Sequence, residues 1–223
     1  MGKTAVKICG LTSVGMIESM INLPIDYIGF VFAKSRRQVS PCQAGEMLGI
    51  LGRWDASPPQ SVGVFVDPDL EQLERTLGEA PLDCVQLHGR ETPEFCRLVR
   101  DQFNVRVFKV FSVSADDAGT GGHRELEPFR GRIDGVFLDT CDPVLEGGTG
   151  RTFAWEKISE YHRQTQSMGI PLFVAGGLNA DNVGELITAY HPEGVDVSSG
   201  VETEGVKDIQ KIRSFLERVK THE

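Results

Sequence analysis

The chain has 223 residues, 40% hydrophobic and 25% charged, with a formal net charge of −9. This is ordinary globular composition, long enough for one large domain with a sizeable core. The acidic balance argues against a nucleic-acid partner and against an anionic membrane surface, since both select a basic face. It leaves small anions open, because local backbone dipoles bind those.

Apolar, β-branched runs recur along the chain and alternate with helical patterns. Residues 5–9 ("AVKIC") read as a first strand, followed by a helix over 13–22 that starts at a Ser13 cap. A strand over 27–32 ("YIGFVF") precedes a helix over 40–51 with Pro41 in its first turn. Next come a strand over 61–66 and a helix over 67–78 that opens with acids. "CVQLH" (84–88) leads to a helix over 92–103, and "VRVFKVF" (105–111) to one over 123–131. "DGVFLD" (134–139) and "PLFVAGG" (171–177) are followed by helices over 154–167 and 179–190. The last pair is "GVDVSS" (194–199) and a helix over 205–220, with Ile209, Ile212, Leu216 and Val219 on one face.

Eight strands alternating with eight helices imply a parallel sheet, which closes as a (β/α)8 barrel of the TIM class or stays open and doubly wound. The repeat count, and the absence of GxGxxG after the first strand, favour a single α/β barrel over residues 1–223. The segments 53–60 and 112–122 read as surface connections, and no linker or internal repeat is evident. No apolar stretch approaches the roughly 20 residues that span a bilayer. The five cysteines are odd in number and form no CxxC, and no leader precedes the first strand. The expectation is a cytoplasmic protein with reduced thiols.

Barrel chemistry gathers at the carboxyl ends of the strands. The first strand ends in Cys9, with Lys7 on the same face beneath it, an arrangement in which an ammonium favours the thiolate. The sixth strand ends in Asp139, which shares a face with Gly135 and Phe137. Cys84, Gln86 and His88 share a face of the fourth. Arg37 stands beside Arg36 and Lys34 on a basic loop, a plausible anion site in an acidic chain. "AGGL" (175–178) and "SSG" (198–200) occupy the loops after strands seven and eight, where this fold recurrently binds phosphate. The residues alone leave plainer readings open. Cys9 serves equally as a small buried hydrophobe, Asp139 as a loop pin, His88 as a satisfied barrel histidine, and the glycines as tight turns. No cluster has metal-ligand spacing.

Taken in order, "KICG" (7–10), "GFVF" with "SRRQVSP" (29–41), "VGVFV" (62–66), "QLHG" (86–89), "LDT" with "GGTG" (138–150), "AGGLNADNV" (175–183) and "GVDVSSGVE" (194–202) resemble the phosphoribosylanthranilate isomerase family of tryptophan biosynthesis. The resemblance covers essentially the whole chain. It implies a (β/α)8 barrel and an isomerase that needs no metal, nicotinamide or flavin. It assigns the general base to Cys9 and the general acid to Asp139, whose pKa Asp142 and Glu146 would raise. It gives Arg37 the anthranilate carboxylate. It extends the substrate contacts to Lys7, His88 and Gly148, and to Gly176 and Gly177. From the last strand end it adds Asp196, Ser198, Ser199 and Gly200. The implied partner is a small phosphorylated sugar, with the chain acting as a monomer because nothing marks an apolar interface. The histidine-pathway isomerase of the same scaffold is similar but carries Asp where Cys9 stands. A phosphate-ligand sensor would keep the loops and lose the acid or the base.

Overall fold

The structure, a computed structural model, describes residues 3–55, 57–113, 126–139 and 155–222. Eight parallel strands close into a barrel in sequence order. They are β1 (Ala5–Cys9), β2 (Tyr27–Val31), β3 (Gln60–Phe65), β4 (Cys84–Leu87), β5 (Arg106–Ser112), β6 (Gly135–Asp139), β7 (Leu172–Ala175) and β8 (Gly194–Val197). Seven α-helices lie among the described residues: α1 (Val14–Ser19), α2 (Pro41–Leu48), α3 (Leu70–Glu79), α4 (Pro93–Phe103), α5 (Ile158–Met168), α6 (Val183–Tyr190) and α7 (Ile209–Thr221).

Capping chemistry starts the helices near the expected positions, except that the helix expected over 205–220 begins only at Ile209, because Val206 and Lys207 form a short strand instead. Ser40 and Gln43 form a reciprocal capping box with Pro41 in the first turn of α2. Asp69, Thr92 and Asp208 each accept from backbone N–H groups at the starts of α3, α4 and α7. The helix expected over 123–131 is not seen over its described part, where Glu127–Phe129 make only a 3-10 turn. Pro128 has no N–H to donate, and Gly131 takes φ +69°, which ends a right-handed helix.

The barrel interior fills from the bottom with aromatic rings. Phe137 and Phe173 stack with centroids 4.6 Å apart, and Tyr27 stands edge-on to Phe108 and Phe173. Alternation along the strands then carries Lys7, Gln86 and Asp196 inward beside these rings, and Cys9, His88 and Asp139 to the mouth.

A chemical repeat binds the lower end of the barrel. The residue before each even strand is acidic: Asp26, Asp83, Asp134 and Glu193. Each carboxylate accepts a hydrogen bond from a backbone N–H at the start of the preceding odd strand. The donors are Val6 (2.9 Å), Ser61 (2.7 Å), Val107 (2.8 Å) and Leu172 (3.0 Å). The strand starts are thereby tied in pairs at the face that carries no chemistry.

Asp134→Ala removes one such tie and orphans the Val107 N–H. Urea unfolding should show a loss of about 1.5–3 kcal/mol. Ligand affinity at the opposite end should stay unchanged, and a loss of affinity without a loss of stability would contradict this division of labour.

Candidate active site

A cavity of about 380 Å³ opens at the carboxyl ends of the strands, large enough for a metabolite. Cys9 from β1 and Asp139 from β6 both line it, with His88 just past β4 and Arg37 on the loop after β2. Gly176, Gly177, Ser198 and Ser199 form its β7–β8 side, and Val64, Val66 and Val110 give the opposite side an apolar wall. Cys141, Asp142, Glu146 and Gly148 lie outside the described residues. Among the described residues no three His, Cys, Asp or Glu side chains gather as metal ligands.

Two residues expected to contact substrate, Lys7 and Gly200, are not among those lining this cavity. Lys7 is fully buried beneath the cavity, its ammonium 3.1 Å from each carboxylate oxygen of Asp196. Register explains this: Lys7 and Asp196 are direct partners across the β1–β8 seam, so an inward lysine must meet an inward aspartate. Gly200 faces a neighbouring cleft with Asn179, Asp181 and Lys211. A Cβ at Gly200 would run into the Leu178 carbonyl, so glycine is needed there to pack the β8 loop on the β7 loop. Gly176 (φ +87°) and Gly177 (φ +64°) take left-handed conformations where their loop lines the cavity.

The thiol differs from the expectation of an easily ionised cysteine. Burial pushes the Cys9 thiol up, the Lys7 ammonium pulls it down, and Asp196 opposes Lys7; the net direction is upward. Asp196 is itself raised, by burial first, with Lys7 working against it and Asp139 adding repulsion. A Cβ at Gly29 would sit 2.8 Å from the Cys9 Sγ and 3.1 Å from the Lys7 Nζ. Only glycine on β2 lets thiol and ammonium share that space.

Arg37 is held by a partner that inspection of the strand ends did not single out. After β8 a 3-10 turn over Ser199–Val201 leads into a hairpin of β9 (Glu202–Thr203) and β10 (Val206–Lys207). Glu204 (φ +51°) and Gly205 (φ +81°) make its two-residue turn, which places Glu202 directly opposite Lys207. The Glu202 carboxylate accepts from Arg37 Nε (2.6 Å) and Nη2 (2.9 Å), from Arg36 Nη2 (2.7 Å) and from Lys207 Nζ (2.6 Å). Burial alone would raise the carboxyl, but these hydrogen bonds and charges bring it down to about 2. The Nε–Nη2 edge of Arg37 is therefore occupied by Glu202, and among the described residues no hydrogen bond uses its Nη1.

His88 Nε2 lies 3.2 Å from Asp139 Oδ2, which brings the histidine and the carboxylate into one unit. The loop bearing His88 is secured from below. Lys109 Nζ donates to the carbonyls of Leu87 (3.2 Å), Gly89 (2.9 Å) and Val110 (3.0 Å), and it pairs with Glu91 at 3.0 Å. Glu91 in turn accepts from the Asp67 and Gly89 backbone N–H groups.

Glu202, Lys207, Glu91 and Lys109 do not stand out in the sequence, and Gln86 stands out only as the same-face neighbour of His88. Two signals point toward them. Two adjacent arginines in an acidic chain attract an acidic partner, and β4 alternation puts Gln86 on the face of His88. No one-dimensional signal selects which of 32 acids answers the arginines.

Two measurements test this electrostatic design. In Lys7→Met the charge that lowers Cys9 is gone, so the pH profile of Cys9 alkylation, followed on its own peptide, should move to higher pH. An unmoved profile would remove Lys7 from the account. Glu202 has a folded value below its ordinary 4.5, so it stabilises the fold above that value, and this stabilisation is lost as pH falls toward about 2. Glu202→Gln should lower the Tm at neutral pH and flatten its fall across that window; an equally steep fall would place the acid sensitivity elsewhere.

The whole chain has relatives. Residues 6–218 match the family model described as N-(5'-phosphoribosyl)anthranilate (PRA) isomerase. The N-(5'-phosphoribosyl)anthranilate isomerase of Brevibacillus brevis is 44% identical over 221 residues, covering 99% of this chain and 95% of that protein. The crystal structure of phosphoribosyl anthranilate isomerase from Thermotoga maritima superposes with a TM-score of 0.81 at 33% identity, covering 98% of this chain and 99% of that one. A phosphoribosyl anthranilate isomerase solved in complex with reduced 1-(o-carboxyphenylamino)-1-deoxyribulose 5-phosphate gives 0.78 at 32% identity, with coverage of 98% and 99%. With this fold, this arrangement of strand ends and full-length similarity, the chain belongs to the N-(5'-phosphoribosyl)anthranilate isomerase family.

Proposed function

We propose that the protein, an isomerase of tryptophan biosynthesis by family, converts N-(5-phosphoribosyl)anthranilate to 1-(2-carboxyphenylamino)-1-deoxyribulose 5-phosphate with Cys9 as general base and Asp139 as general acid. The observation that carries the assignment is that this thiol and this His88-paired carboxylate line one cavity between an apolar wall and two loops of phosphate-binding type.

The chemistry follows from the substrate. Asp139 protonates the ring oxygen, the C1–O bond breaks, and the nitrogen lone pair forms an iminium. The iminium acidifies the C2 hydrogen, which the Cys9 thiolate removes. The C–H pair becomes the C1–C2 double bond, the C=N pair returns to nitrogen, and the enolamine tautomerises to the ketone. Cys9 must act as thiolate while Asp139 holds its proton. The raised thiol therefore puts the rising limb of activity on the alkaline side.

The phosphate sits on the β7 and β8 loops, with Gly176, Gly177, Ser198 and Ser199. The anthranilate ring lies against Val64, Val66 and Val110, and the Nη1–Nη2 edge of Arg37 takes its carboxylate. Asp196 shapes the cavity floor through Lys7. The free cysteines among the described residues, Cys9, Cys42, Cys84 and Cys96, support a reducing cytoplasmic setting.

Turnover is read from the disappearance of phosphoribosylanthranilate fluorescence. Cys9→Ala and Asp139→Asn should each lower kcat by about 10²–10⁴-fold while product affinity is kept. Near-wild-type turnover in either variant would sink that residue's role, and absence of turnover in the wild type would sink the reading as a whole.

A further inference from the structure

We infer that Gln86 is a third catalytic residue, whose amide oxygen accepts a hydrogen bond from the substrate nitrogen as it becomes an iminium. The inference rests on the proposed reaction and goes beyond its acid and base.

Gln86 is 3% exposed, and its Oε1 is buried without any hydrogen-bond partner among the described residues. That is costly, because an unmatched buried acceptor forfeits its hydration. The other buried polar side chains at this level and above are matched. Lys7 has Asp196, Lys109 has three carbonyls and Glu91, and Glu202 has its cations. Among the described residues the remaining buried orphans are the indole nitrogens of Trp54 and Trp155, which belong to the core outside the barrel. Of these three residues only Gln86 lines the cavity, so its amide is the one that a donor on a bound ligand can reach.

Position selects the donor. In a closed eight-stranded barrel β4 stands across from β8, so Gln86 is remote from the phosphate loops. Its register partner on β3 is Val64, part of the apolar wall, and His88 with Asp139 lies one level above it. A group between the aryl wall and the acid is at the bond joining ring to sugar, and the donor there is the anilinic N–H. When Asp139 gives its proton to the departing ring oxygen, positive charge develops on this nitrogen and its N–H becomes a far stronger donor. When Cys9 takes the C2 proton, the charge is discharged. A fixed neutral acceptor thus binds the charged stage better than substrate or product, which is the condition for raising kcat.

Gln86→Met keeps an unbranched side chain of similar length and removes the acceptor. We expect kcat to fall roughly 10–100-fold, the worth of a hydrogen bond to a charged group. KM, and calorimetric affinity for the reduced product, whose nitrogen is a neutral amine, should change less than about 5-fold. The Tm should hold or rise, because the variant buries no orphan. Gln86→Glu keeps an acceptor oxygen at the same reach and should recover part of the lost kcat. Unchanged kcat in Gln86→Met would overturn the inference. So would a rise in KM with kcat kept, which marks a contact to a sugar hydroxyl. A lowered Tm with parallel loss of product binding would also overturn it, since Gln86 would then only shape the pocket. Wild-type turnover separates the two levels: if it is present, a failed variant test removes Gln86 alone; if it is absent, both readings fall.

Discussion

The barrel is organised around a charge pair held in its interior, at the floor of the cavity. Lys7 and Asp196 come from the first and last strands and meet at the seam where the sheet closes. Two ions taken out of water cost several kcal/mol each unless they face one another, so loss of either residue leaves its partner at a cost in stability. The pair therefore ties closure of the fold to the floor of the cavity. It also sets the conditions above it, because the Lys7 ammonium draws the Cys9 thiol down while Asp196 limits that pull. Phe137 presents its ring face to the same ammonium, with the centroid 5.4 Å away. One interaction thus serves folding and thiol chemistry together.

The rim is built by two further carboxylates of the same kind. Glu202 gathers Arg36, Arg37 and Lys207, and Glu91 with Lys109 fixes the backbone that carries His88. In each case a carboxylate holds loop cations or amides that water would otherwise leave mobile. Gly10, at φ +79°, passes so close to Arg37 that a Cβ there would sit 2.5 Å from its Cδ. The arginine stem is therefore clamped by backbone on one side and by Glu202 on the other. A ligand meets a guanidinium already oriented, and little side-chain entropy remains to be lost on binding.

The two ends of the barrel contrast in how they treat polar groups. At the lower end the four acids before the even strands match backbone donors one for one. At the upper end the Oε1 of Gln86 has no partner among the described residues. Full satisfaction marks the end that holds the fold together, and the exception marks the end where a ligand completes the structure.

The sequence by itself determined the barrel, its strand faces and its strand-end residues. Period-two alternation sorted Lys7 and Cys9 inward, and Ser, Asp and Pro signals started the helices; both are local effects of backbone geometry. It also carried the strand-end motifs of the family. Tertiary structure decided what each of these residues meets. Lys7 and Asp196 are 189 positions apart, and Arg37 and Glu202 are 165 apart. Only barrel closure brings such pairs together, and only that contact shows that Lys7 is a floor residue and that half of the Arg37 fork is already taken. The same holds for the thiol. Its neighbour on the strand suggested an easy ionisation, but burial and a carboxylate from the far end of the chain reverse that direction. The short turn in place of the expected helix around Pro128 was a local matter, readable from proline itself. Pair identity was not local, because charge and burial are properties of the space around a residue and not of its neighbours in sequence.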